Sequence, residues 1–322
     1  MINISINNIC KMMMRNSCFY IFMHENPDAD TIGSCFSLVY TLRSLGKKAY
    51  PVSADKIPSS LTFMTDGERD FTLDKIPAED KPDCLISVDI ASASQFGAYG
   101  YMAKEMDLAM DHHAIHDSFA KAQYVDASSS ACAEIVYRVI NKLLYGEIPQ
   151  KTASLMYAAL AADTGGFRYV NTTPYTYKIA AKLIERGANH AQICHNLFEC
   201  KSKAALAAEA YAMSNIQYFC SGKITYVKIT LADKAEHGFE DDDTYDVINT
   251  MRRIDGVKVA IFARERESGT YKISTRSTCD VDVAKICAIF GGGGHAGAAG
   301  CTVMADELDD AVKRIINECN FE

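Results

Sequence analysis

Short hydrophobic runs that stop at acidic or imidazole side chains recur through the first half of the chain. Residues 18–23 read as a buried strand followed by His24, residues 84–88 run straight into Asp89, and residues 107–110 run into Asp111. Residues 49–52 form a further short strand. Between them, apolar positions at helical spacing predict helices over 33–45 ending near Gly46, over 131–144 with Ser128 to Ser130 as N-cap candidates, over 152–161, and over 174–186 before Gly187. Strands alternating with helices imply βαβ units and a mostly parallel sheet.

The pattern changes after about residue 195. An alanine-rich stretch with interspersed charge at 201–213 predicts a helical connector. Strand-like runs at 224–230, 257–263 and 271–275 then alternate with helical runs at 244–253, 281–289 and 308–316. The expected fold is therefore α/β, with a mostly parallel-sheet domain over 1–195, a helical linker over 196–215 and a smaller α/β domain over 216–322. The length agrees, because 322 residues exceed what one hydrophobic core usually organises.

Composition narrows the function classes. Hydrophobic residues make up 48% and charged residues 23%, an ordinary globular balance. A formal net charge of -8 argues against wrapping long duplex DNA, which needs a basic surface that releases counterions. A short phosphorylated ligand is compatible with that charge, and divalent cations would offset part of it. The twelve cysteines include no Cys-x-x-Cys unit, and several sit inside apolar runs, so they read as reduced core residues of a cytoplasmic protein. Asn7, Asn8, Lys11, Arg15 and Asn16 interrupt the N-terminal apolar patches before a signal-peptide core or membrane span could form.

Metal-preferring side chains fall in four clusters: His24, Asp28 and Asp30; Asp89; Asp111, His112 and His113; and Asp163. Ligand sites of open α/β sheets collect outside the carboxyl ends of strands, where these clusters would lie. Read as an extended loop stiffened by Pro27, residues 24–30 would present Asp28 and Asp30 to two different cations. Carboxylate and imidazole without thiolate favour Mn²⁺ or Mg²⁺ over structural zinc. An aspartate between two such ions, here Asp89, can bridge them, and the pair can activate water and clamp a phosphoryl oxygen.

His24-x-x-x-Asp28-x-Asp30 with its following Gly33-Ser34, the strand-terminal Asp89, the Asp111-His112-His113 triplet and Asp163-Thr164-Gly165 resemble, in order and spacing, the motifs of the DHH phosphoesterase superfamily. The resemblance implies one ion held by His24, Asp28 and Asp89, a second held by Asp30, Asp89, His112 and Asp163, and His113 on the scissile phosphate. It marks Asp89, His112 and His113 as catalytic and two divalent cations, Mn²⁺ first and Mg²⁺ second, as cofactors. His116 is outside that pattern and reads as a loop histidine. Arg168 is either a phosphate contact or a solvated arginine.

The run from Gly291 to Gly300 contains a formal G-x-G-x-x-G, but it follows a helix and leads toward a strand, which excludes a dinucleotide-binding turn. Glycines still let a phosphate approach backbone N–H groups. The segment resembles the glycine-histidine motif of the C-terminal domain that accompanies DHH proteins. That likeness implies substrate binding by Gly292, Gly293, Gly294 and His295, with Arg276 on a preceding strand. Arg252, Arg253, Arg264, Arg266 and Lys272 make this region locally basic, as a substrate groove or as solvated faces. The two-domain length is similar to the NrnA-like branch, the nanoRNases and bisphosphate nucleotidases. The implied function is hydrolysis of short oligoribonucleotides from the 5′ end or of 3′-phosphoadenosine 5′-phosphate. A cyclic- or linear-dinucleotide phosphodiesterase would use the same centre. A catalytically silent nucleotide-binding protein would require loss of a ligand, and none is missing. Short RNA or a nucleotide is thus the expected partner, with no membrane, and a homodimer is left open.

Overall fold

The structure, a computed structural model, describes residues 2–267, 269–278 and 281–321, with the backbone alone for Ile2 and His295. The chain divides into two compact units between Cys200 and Lys201. The first carries, in chain order, β1 (Ile2–Asn3), α1 (Ile6–Arg15), β2 (Cys18–Phe22), α2 (Ala29–Ser44), β3 (Lys48–Val52), β4 (Cys84–Val88), β5 (Leu108–Asp111), β6 (Ala122–Val125), α3 (Cys132–Leu143), α4 (Gln150–Asp163), α5 (Pro174–Glu185) and α6 (His190–Cys194). Its strands form one parallel sheet in the order β1-β6-β5-β4-β2-β3.

Both faces of this sheet are buried, which explains why its strands read as continuous apolar runs. Along β2, Phe19 and Ile21 join a core with Ile32, Leu38, Ile135 and Leu160 of the covering helices. Phe22 turns the other way, packing with Val52, Phe96, Ala103 and Met106. Much of that second layer comes from 3-10 turns over Ala93–Glu105, which apolar periodicity did not predict because their geometry is not that of an α-helix. Helix α1 was also unforeseen. Its polar residues, read as interruptions, lie on the opposite side of an amphipathic helix from buried Ile9, Cys10 and Met13.

Helix α2 starts at Ala29, well before residue 33, with Asp28 as its N-cap. It packs antiparallel and close against α4. A Cβ at Gly33 would lie 2.6 Å from the Leu155 carbonyl oxygen and 2.7 Å from Ala159 Cβ, so only glycine allows this approach. The contact sets the first turn of α2 beside the last turn of α4, and with them Asp30 and Asp163.

The second unit carries α7 (Lys203–Ser214), β7 (Gln217–Phe219), β8 (Ile224–Ile229), α8 (Leu231–His237), α9 (Val247–Arg252), β9 (Val259–Glu267), β10 (Thr270–Ser277), α10 (Val283–Ala288), β11 (Gly293–His295), β12 (Ala298–Met304) and α11 (Leu308–Glu318). Its mixed sheet has the order β11-β12-β10-β9-β8-β7, with β8 and β9 parallel. Helix α7, predicted as a connector, is part of this unit: Ala208 and Ala212 pack with Val227, Ile229, Phe262 and Met251. On the other face, Ile273 and Cys301 pack with Cys287 of α10 and Ile315 of α11. Among the described residues no helix is long and apolar enough to cross a membrane, and the described cysteines are free thiols, most of them buried.

Candidate metal centre

Across the first sheet the chain order reverses between β2 and β4: β2 leads on to β3 on one side, and β4 leads on to β5 on the other. Loops leaving neighbouring strands in opposite directions open a crevice at their carboxyl ends. His24 follows β2, Asp89 follows β4, and Asp111, His112 and His113 end or follow β5. Helix α2 adds Asp28 and Asp30 from its start, and α4 adds Asp163 from its end.

These side chains converge. Ligand atoms of His24, Asp28 and Asp89 lie within 4.8 Å of one another, as do those of Asp30, His112 and Asp163, and those of Asp89, His112 and His113. Asp89 sits between the first two groups: its Oδ2 is 3.6 Å from His24 Nε2, and its Oδ1 is 3.5 Å from His112 Nε2. Its backbone adopts φ 59°, in the left-handed region. For a non-glycine residue that conformation costs on the order of 1–2 kcal/mol. The Asp89 N–H, donating to the Met110 carbonyl at 2.9 Å, helps to hold it.

Asp28 and Asp30 diverge for a different reason from the one their loop suggested. An extended segment would place residues two apart on the same face. Instead Asp28 is the helix cap, its Oδ1 accepting from the N–H groups of Asp30 (2.9 Å) and Thr31 (3.1 Å). Asp30 lies in the first helical turn, and about 100° of rotation per residue separates the two carboxylates.

Asp30 also corrects the expected cap of α3. The N-cap residue is Ala131, which has no side-chain acceptor. The N–H groups of Cys132 (2.6 Å) and Ala133 (3.0 Å) donate instead to Asp30 Oδ2 and Oδ1. Ser130, expected as a cap, donates to Glu134 at 2.6 Å.

Electrostatics show a surplus of negative charge. Burial, reinforced by Asp89 and Asp163, holds Asp30 well above the usual carboxylate range. Burial also pushes Asp163 up to about 7, with His112 opposing and Asp28 and Asp89 adding. Burial alone would lower His112, but Asp163, Asp89, Asp30 and Asp111 raise it to about 9. Burial likewise works against His24, yet Asp28 and Asp89 hold it well above the imidazole norm. Protons stand where cations would otherwise balance the carboxylates. Asp89 Oδ1 and Asp111 Oδ2 are buried without a hydrogen-bond partner, and unsatisfied buried acceptors of this kind fit a cation site.

Asp111 has a part that the sequence reading left unassigned. Its Oδ1 accepts from His113 Nδ1 at 2.7 Å and from the His112 N–H at 2.8 Å, which sets the His113 ring. The His113, His112 and His116 imidazoles lower the Asp111 pKa against the effect of its burial. His116 packs on Phe119, and its Nε2 is 3.9 Å from Asp111 Oδ2. Arg168 folds back onto its own loop, donating to the Gly165 carbonyl and lying over the Phe198 ring.

The candidates of the second unit lie around the hairpin of β11 and β12. Arg276 pairs in register with Ala298 and Ala260, and its Nη1 donates to the Thr275 carbonyl at 3.0 Å. Gly292 and Gly294 have a packing reason: a Cβ would lie 2.1 Å from the Gly300 oxygen and 2.5 Å from the Ala298 oxygen, respectively. Among the described residues, Gly293 has no neighbour within 4 Å of its missing Cβ. The His295 side chain lies outside the described residues. Arg264 bonds the Asp241 carbonyl and the Thr244 hydroxyl, and Arg266 pairs with Asp241. Part of the basic cluster is thus committed within the unit.

Residues 18–160 match the DHH family N-terminal domain, and residues 221–320 match the DHHA1 domain. The bifunctional oligoribonuclease and PAP phosphatase NrnA of Thermus thermophilus is 31% identical over 303 residues, 94% of this chain and 89% of that relative. The chain belongs to the DHH family. The DHH fold extends to an exopolyphosphatase-related protein from Bacteroides fragilis, with TM-score 0.86 at 23% identity over 97% of this chain and 94% of the other. It extends also to exonuclease RecJ bound to manganese, with TM-score 0.56 at 13% identity over 98% and 95% of the two chains. These two likenesses concern the fold.

Proposed function

We propose that this chain is a metal-dependent phosphohydrolase that degrades short oligoribonucleotides and dephosphorylates 3′-phosphoadenosine 5′-phosphate. The observation that carries the chemistry is Asp89, whose two carboxylate oxygens face two separate groups of metal-preferring atoms. The substrate class follows the named activities of the Thermus thermophilus relative, with which the chain is collinear over most of its length.

In this reading His24, Asp28 and Asp89 hold one cation, and Asp30, Asp89, His112 and Asp163 hold another, with Mn²⁺ the better match to carboxylate and imidazole and Mg²⁺ the second. When bound, such a pair supplies Lewis acidity toward a phosphoryl oxygen and lowers the pKa of water. His113, oriented by Asp111, meets the scissile phosphate and stabilises its developing charge. Arg276, the Gly292 to Gly294 segment and His295 are assigned to nucleotide binding in the second unit, and the cytoplasm is the assigned compartment.

A substrate panel tests the reading. Purified protein with Mn²⁺ should show its highest specificity constants on 3′-phosphoadenosine 5′-phosphate and on RNA of two to a few nucleotides. A higher constant on cyclic dinucleotides, pyrophosphate or long RNA would overturn the substrate assignment, and no turnover on any of them would overturn the enzyme.

A further inference from the structure

The Asp30, His112 and Asp163 group is held by one short stretch of backbone, residues 129–133. His112 Nδ1 lies 3.2 Å from the Ser129 carbonyl, which takes the Nδ1 proton and leaves Nε2 toward the carboxylates. Asp30 accepts from the N–H groups of Cys132 and Ala133. Asp163 reaches the same stretch indirectly. Asn171 Nδ2 donates to the Asp163 carbonyl at 3.1 Å and to the Ser130 carbonyl at 3.0 Å, tying the end of α4 to the segment before α3.

The stretch is braced from behind. Ser130 and Thr176 hydroxyls both donate to buried Glu134 at 2.6 Å, and the Ser129 hydroxyl is held by Asp126 (3.1 Å) and Arg138. The Asp163 carbonyl belongs to a helix terminus, where carbonyls lack intrahelical donors. Of the three members, Asp163 has the most exposed side chain, 26% against 1% for Asp30 and 6% for His112. It therefore depends most on an external clamp.

We infer that Asn171 is a positioning residue for the second cation, holding Asp163 in register with Asp30 and His112 through residues 129–133. The inference rests on the two-metal reading above. Loss of the clamp should loosen one carboxylate of that group and leave His24, Asp28 and Asp89 untouched.

Mn²⁺ titration of the full chain, followed by electron paramagnetic resonance, compares wild type with Asn171→Ala and with Asn171→Leu, which keeps the side chain's approximate volume without its donor. Wild type should take up two ions and give an exchange-coupled spectrum. In the variants the first ion should bind as in wild type, while the second binds roughly 10- to 100-fold more weakly. The mononuclear spectrum should then persist to higher Mn²⁺, and turnover should recover once the ion saturates. Metal-free variants should melt near wild type. Unchanged affinity for both ions, equal weakening of both, or failure of both variants to fold overturns the assignment. Uptake of a single ion by wild type overturns the two-metal reading itself, a result that wild-type data alone reveal.

Discussion

The two units present their candidate chemistry in opposite ways. In the first, side chains from two helices and three strand ends meet in one crevice and retain buried oxygens without partners. In the second, the candidates occupy a single hairpin and its neighbouring strand, and two of the glycines are already explained by close strand packing. A site made of side chains that attract and repel one another leaves an electrostatic trace in the structure. A site made of backbone does not, because a glycine needed for packing and a glycine needed for a ligand look alike.

Breaking the first side of this contrast should have the largest effect. Asp89→Ala should reduce turnover with Mn²⁺ by on the order of 10³-fold while circular dichroism and thermal melting show a retained fold. Near-normal turnover would remove the bridging role.

pH provides the next test. Ions must displace protons from Asp163, raised to about 7, and from His112, raised to about 9. Below pH 7 both groups are protonated in the metal-free protein, and between 7 and 9 Asp163 has lost its proton while His112 keeps one; Asp30, held well above the usual carboxylate range, adds to the protons displaced. Affinity of the second site should thus rise with pH across this range, more steeply below 7 than above it, with proton release on binding. Mn²⁺ calorimetry between pH 6 and 8.5 in buffers of different ionisation enthalpy reads both quantities. A pH-independent affinity would mean that these groups are not ligands.

The second unit is tested by selectivity. Arg276→Ala should lower kcat/KM on nucleotide substrates by about tenfold or more, with little change on bis-p-nitrophenyl phosphate. Equal losses on both would take Arg276 out of recognition.

Smaller effects separate packing from binding among the glycines. Gly33→Ala, which places a methyl against Leu155 and Ala159, should cost about 1–3 kcal/mol in denaturant melts. Gly294→Ala should destabilise as well, since it adds a positive φ to a close contact. Gly293→Ala should leave stability within about 0.5–1 kcal/mol. A rise in nucleotide KM for Gly293→Ala at unchanged stability would mark the hairpin as a binding element, and an unchanged KM would take Gly293 out of binding.

Alternating apolar runs, helix periodicity and their punctuation by aspartate and histidine were enough to read two α/β domains and the order of the metal-preferring residues. Those signals are local, carried by short apolar runs, period-3.6 patterns and residue type. Nonlocal solutions were not legible. Ser128 to Ser130 had the composition of a helix cap, yet Asp30 caps α3 from another element. Asn171 had the look of an ordinary loop residue, and nothing in the sequence tied it to Asp163.

By itself, then, the sequence determined which metal-preferring residue types are available and in what order, because those motifs are contiguous and their residue types few. Tertiary structure alone decided which oxygens of Asp89 and Asp111 go unpartnered, which carboxylate caps α3, and which glycines are needed for packing. These depend on the approach of segments distant in the chain, and no local pattern encodes that distance.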